Sequence, residues 1–316
     1  MKTSWKVLSI IGVTLMMLAS CSKFKKTDDT ADPNAKQHND DVSNTKNESD
    51  NLNTEINNVL TRTSGFGKKE GLQAASICGA SIDSSGQYNT IPTVIINFDG
   101  VTACGSPSRI RGGQVKVELI QGSSWSARGA KLRVTHIDYK VTFVNLNNHF
   151  VNFNGIKYLT NVDGFDGIAY YLTGAVTVRI KERTDNMTVT FENGQTASWN
   201  SARLSTWQVT GYVNITATVN GDTIIGGKFI DSWGVTRFNT NFLTEMNTPW
   251  KSGTTCGWWK PTQGRYTSVT DNFTVSATFG VDRNGNALNS GCPGYLKLDW
   301  TILSSNTSGE AVIQYF

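Results

Sequence analysis

The chain runs to 316 residues, 38% hydrophobic, 10% aromatic and 17% charged, with 30 Gly and 6 Pro, a composition that excludes a coiled coil or a wholly disordered polymer and leans towards β structure. The formal charge is +4. Setting aside Lys2 and Lys6 in a removable leader leaves 27 basic against 25 acidic residues, too even a balance to favour a nucleic-acid partner.

The leader comes first. Lys2 and Lys6 precede an apolar run from Val7 to Ala19, and the segment closes on Leu18-Ala19-Ser20-Cys21. The run is too short to span a bilayer comfortably, which favours a cleaved signal over a permanent helix. Small residues ahead of a Cys resemble a bacterial lipobox, in which the sulfur receives diacylglycerol before cleavage. Residues 1–21 are therefore expected to be a lipoprotein signal peptide, with Cys21 the lipidation site and a membrane its partner.

Residues 22–60 are rich in Asn, Asp, Lys, Thr and Ser, with Phe24 the single aromatic. Such a stretch buries too little apolar surface to offset its ordering entropy, so a flexible polar tether is expected. Within it Leu52, Ile56 and Leu60 have helical spacing, which predicts a short helix over 51–60 at the edge of the domain.

Residues 61–316 are predicted to form one all-β domain, antiparallel, β-sandwich-like and built of hairpins. From about Ser76, short runs of Val, Ile, Thr, Tyr, Phe and Trp alternate with Gly and Asn turns, the signature of strands. Gln114 to Ile120 puts Val115, Val117 and Leu119 on one face, and Ala175 to Lys181 does the same with Val176, Val178 and Ile180. Asn193-Gly194 and Asn220-Gly221 each lie between such runs, and these dipeptides tolerate the positive φ of tight hairpin turns. Val94 to Cys104 and Phe273 to Cys292 also echo each other as hairpin units that lead into alternating strands.

Several elements in order carry a resemblance. They are Cys78; Ile95-Ile96-Asn97-Phe98 before Cys104; Arg109-Ile110-Arg111-Gly112-Gly113-Gln114-Val115; Asn152-Phe153-Asn154-Gly155-Ile156 with Leu159-Thr160-Asn161; the run from Trp199 to Trp207; Cys256-Gly257-Trp258; and Cys292. Together they resemble a group of uncharacterised secreted lipoproteins of Bacteroidota. The chain departs from that pattern at Gly257, where relatives often carry a basic residue, and over Thr240 to Thr255. The resemblance implies an all-β envelope lipoprotein at the outer membrane and brings no catalytic residue with it.

Without Cys21, four cysteines remain, an even number that fits a disulfide framework in an exported protein. Of three pairings, Cys78 with Cys104 and Cys256 with Cys292 are expected, because each couple flanks a predicted hairpin. A Cys₄ zinc site lacks its C-x₂₋₄-C knuckle, and no metal or other cofactor is expected. His136 and Asp138 fall on one face of an alternating strand, but neither a nucleophile elbow nor H-E-x-x-H accompanies His136 or His149. Asp163 and Asp166 share a Gly-rich loop whose carboxylates suit either self-capping or glycosidase chemistry. Asp282 to Asn286 starts like a calcium loop but lacks its Gly and closing Glu, and is expected to be a hairpin tip. The terminal Tyr315-Phe316 resembles a barrel ending, which Gln314 and the lipidated leader argue against.

Aromatics are the remaining lead. Trp250, Trp258, Trp259 and Tyr266 concentrate flat side chains beside Gly and Lys, and adjacent Trp258 and Trp259 must point to opposite faces of a strand. An exposed indole there suits stacking on a sugar or anchoring a protein interface. Trp199 and Trp207 are expected in the core. The sequence therefore predicts a lipid-anchored envelope protein of a Gram-negative bacterium, a noncatalytic binding or structural module for polysaccharide or an envelope protein. The alternative is a glycan hydrolase using Asp163 and Asp166.

Overall fold

In the computed structural model, residues 32–67, 76–105, 108–144, 149–164, 175–210, 214–257 and 260–314 are described. Ala35, His38, Val42, Thr45, Leu52, Ile56 and Val59 recur three and four residues apart or at multiples of that spacing, and all are buried. They form one stripe of a 28-residue helix, α1 (Pro33–Leu60). The Asp32 carboxylate caps it by accepting from the backbone N–H groups of Asn34 and Ala35, each at 3.0 Å, and Pro33 takes the first turn, where no N–H is needed. This corrects the expected tether: residues 33–60 are an interior element. The stripe escapes a hydropathy reading because His38 and Thr45 occupy inward positions, and a strong apolar period survives only over Leu52 to Leu60.

Fifteen strands follow among the described residues. They are β1 (Ala80–Asp83), β2 (Thr93–Cys104), β3 (Arg109–Gln121), β4 (Lys131–Phe143), β5 (His149–Asn161), β6 (Ala175–Phe191), β7 (Thr196–Thr210) and β8 (Asn214–Gly221). The second half holds β9 (Thr223–Ile225), β10 (Lys228–Val235), β11 (Asn241–Gly253), β12 (Gln263–Thr270), β13 (Phe273–Val281), β14 (Tyr295–Ile302) and β15 (Thr307–Gln314). All belong to one antiparallel sheet in which successive strands are mostly neighbours, so the all-β class and both single-strand readings hold.

The predicted turn at Asn193-Gly194 is present, with Gly194 at φ 79° between β6 and β7. The one at Asn220-Gly221 is not a hairpin. Strand β8 pairs with β7 and β11, whereas β9 pairs with β10 across Gly226 and Gly227, at φ 57° and 80°. Gly221 serves instead as a crossing point, since a Cβ there would meet the Ile230 carbonyl oxygen at 2.5 Å.

Most long strands bend in the middle. Register shifts fall at Gly112/Gln114, His136/Tyr139, Asn154/Ile156, Thr184/Met187, Met246/Thr248 and Phe279/Val281, and such bulges bend and twist the strand that carries them. Gly113 at φ 84° must be glycine, because a Cβ would fall 2.0 Å from the Asp138 carbonyl oxygen. Asn side chains secure the bend: Asp138 N–H donates to Asn154 Oδ1 at 2.8 Å and Asn186 N–H to Asn200 Oδ1 at 2.7 Å. The bends of β3 to β6 fall opposite one another, so this part of the sheet curves into a trough around the buried face of α1. Helix α1 lies along the trough and crosses the strands, with His38 at β12, Lys46 at β10, Asp50 at β7 and Glu55 at β3.

Candidate functional site

Charged residues occupy positions that continue the apolar faces of their strands. In β6 the inward series Val176, Val178, Ile180 leads to Glu182 and Thr184, and in β7 Trp199 and Ser201 lead to Arg203. Their partners come from α1, from β10 and from each other. Arg203 is bonded to Asp50 at 2.7 Å, Glu182 at 3.3 Å and Asp231 at 3.4 Å; Lys46 meets Asp231 at 2.6 Å. Lys157 donates to Asn53 at 2.7 Å and Ser49 at 3.1 Å, with Glu182 3.7 Å away. Glu48 accepts from Arg109 and from the Tyr139 hydroxyl, and Glu55 takes both arms of Arg111. Nearer the helix N-terminus, Asp41 receives Arg237 at 2.6 and 2.8 Å.

Protonation follows from burial and neighbours. Burial alone would raise Glu182, yet Lys157, Arg203 and the Asn53 and Ser49 donors outweigh it and hold its carboxyl at about 2. Burial lowers both Lys46 and Lys157. Burial, seconded by Lys157, pushes His136 down to about 3, and His38 falls to about 3 through burial and then Lys46. Asp41 is raised to about 6 by burial against the opposing pull of Arg237. Under the helix lies a space of about 30 Å³ lined by residues that include Lys46, Tyr139, Lys157, Glu182, Arg203 and Asp231, room for roughly two waters. The seam is therefore a structural clamp filled by the chain itself.

Two of the predicted binding aromatics, Trp250 and Tyr266, are interior rather than on the surface. Trp250 and Tyr266 are 2% and 0% exposed. Trp250 keeps the inward parity of Phe242, Thr244 and Met246 and packs against Phe279, with ring centres 4.7 Å apart. Tyr266 points into the trough, where its hydroxyl donates to Asn39 Oδ1 at 2.7 Å. Trp258 and Trp259 lie outside the described residues, as do Cys21, Asp166, Tyr315 and Phe316. Trp199 is core, and Trp207 is half-buried at the trough rim beside Asn47, Asn51 and Thr54. Both expected disulfides are formed, Cys78–Cys104 and Cys256–Cys292.

His136 is buried while Asp138, at φ 48°, is exposed. The bulge between them removes the shared face that strict alternation predicts. His149 instead meets Glu192 at 3.1 Å. Asp163 is gripped by Arg179 at 2.6 and 2.9 Å, which lowers its pKa chiefly through those hydrogen bonds. Asp282 accepts from the backbone N–H groups of Asn284 and Asn286, as a hairpin tip should. No family model matches the chain, and neither the curated proteins nor the solved structures contain a match.

Proposed function

We propose that the chain is a lipid-anchored protein of the bacterial cell envelope, held through Cys21, that works by contact as a noncatalytic binding or structural module for a glycan or a protein. The observation that carries this reading is the occupied trough. A bent sheet of this kind offers its concave side to a ligand, and here α1 takes that side, matched to the wall by ion pairs along most of its length. Contact with anything else then falls to the convex face and the loops. The two disulfides support an oxidising compartment outside the cytoplasm.

The test has two arms. Radiolabelled fatty acid should enter the wild-type chain and not Cys21→Ala. The purified mature chain, oxidised, should be retarded in gels containing polysaccharide or should cross-link to an envelope protein, without releasing sugar products. Product release would replace the reading with a hydrolase.

A further inference from the structure

Strands β8 and β10 share the space between β7 and β11, β10 against Ser198–Ser201 and β8 against Arg203–Thr210. Residues 222–229 join them as a hairpin finger that leaves the sheet. One ion pair marks its base, Asp222 to Lys181 at 3.0 Å, and a second, Lys228 to Glu245 at 2.7 Å, holds the rung beside the Gly226-Gly227 turn. Lys181 and Glu245 alternate with inward-facing Ile180, Glu182, Thr244 and Met246, so the finger rises from the convex side, opposite α1. Strand β9 pairs only with β10. Ile224, Ile225 and Phe229 are 65%, 48% and 47% exposed, and a Cβ on Gly226 or Gly227 would meet nothing within 4 Å. Other large exposed apolar residues come singly, as Val101 and Leu303 do, or as the pair Tyr88 and Ile91, whereas these three crowd into six residues.

We propose that this finger inserts into the surface of the bilayer that anchors the chain, a step that rests on the lipidation of Cys21. Reach supports it. Cys21 is 11 residues from the helix cap Asp32, at most about 40 Å of extended chain. Helix α1 begins beside β12 and β13, where His38 meets Ser268 and Phe273. The finger starts at β10, which is three strand spacings from β13 in the sheet order, or about 14 Å. That offset is well inside the tether's reach, and the rest of its length is what passes round the strand ends to the finger's side.

Chemistry supports it as well. Ile, Ile, Gly, Gly and Phe offer hydrocarbon and no side-chain hydrogen bonds, which suits an acyl boundary and not a glycan.

The test uses the acylated mature chain reconstituted into phosphatidylethanolamine–phosphatidylglycerol vesicles. Ile225→Cys is labelled with an environment-sensitive NBD dye; the other cysteines are acylated or disulfide-bonded. Emission should at least double on reconstitution and fall with brominated acyl chains, while the same dye on Ser305→Cys, in an exposed turn, should not change. Adding Ile224→Asp and Phe229→Asp should abolish the rise at position 225 with an unaltered circular dichroism melt. A silent dye on an acylated chain overturns the docking alone, and shielding of that dye in native envelopes but not in vesicles assigns the finger to a protein. Absence of acyl mass on Cys21 overturns the anchoring and the docking together.

Discussion

Replacing Asp231 by Asn removes the anion that faces the Lys46 ammonium at 2.6 Å, where the two side chains are 0% and 2% exposed. The ammonium would then be buried with Arg203 as its cationic neighbour, and stripping one partner from a buried pair costs about 3–5 kcal/mol. For a domain of this size each kcal/mol moves the melting temperature by about 2–4 °C, so a fall of roughly 6–20 °C is expected. Thermal and urea unfolding of the oxidised mature chain measure it. The double variant Lys46→Met with Asp231→Leu, which replaces both charges by hydrocarbon, should recover more than half of the loss. A single-variant change below about 1 kcal/mol, the size found for exposed pairs, would refute the buried clamp.

Acid should loosen the fold through its histidines. His38 and His136 stay neutral in the fold down to about 3 but take a proton at 6.5 when unfolded. The unfolded chain therefore binds more protons as pH falls below 6.5, and stability drops from there towards pH 3 by at most ~5 kcal/mol per imidazole. Glu182, held at about 2, adds to the loss below its usual 4.5, while Asp41, raised to about 6, opposes it between about 6 and 3.8. Urea midpoints at pH 7, 5 and 4 should decline, and His38→Asn should flatten the decline; a pH-independent midpoint would contradict both assignments. Opening Cys78–Cys104 or Cys256–Cys292, which close loops of 26 and 36 residues, should cost about 3–4 kcal/mol each by chain entropy. Unchanged melts of Cys-to-Ala pairs would show the loops to be held otherwise. Deleting residues 22–31 should leave the melt unaltered, whereas deleting 22–60 should abolish cooperative unfolding; a well-folded 61–316 fragment would make α1 an accessory.

Much of the sheet was legible because alternation is a local property. Val115, Val117 and Leu119 sit inside as their period requires, and the cysteine couples were legible because each flanks neighbouring hairpins. The helix was not legible, since its inward face carries His38 and Thr45 and its flanks carry Lys46, Glu48 and Asp50, whose partners lie more than fifty residues away in sequence. Composition reads these polar groups as solvated; only the strands that receive them make them interior. The clamp nevertheless left a trace in β6 and β7, where Glu182 and Arg203 continue otherwise inward-facing series. Trp250 and Tyr266 were misplaced because the inward parity they share runs through polar Thr244, Ser268 and Thr270, which composition reads as a wet face.

Amide hydrogen exchange over residues 33–60 of the oxidised mature chain bears most directly on the claim that α1 is part of the fold and fills the trough. Protection of Val42 to Ile56 matching that of β5, β6 and β7 is predicted, lost in a single cooperative step with those strands as urea rises. Exchange at the rate of a free peptide would contradict it, return residues 22–60 to the role of a tether, and leave the trough open for another occupant.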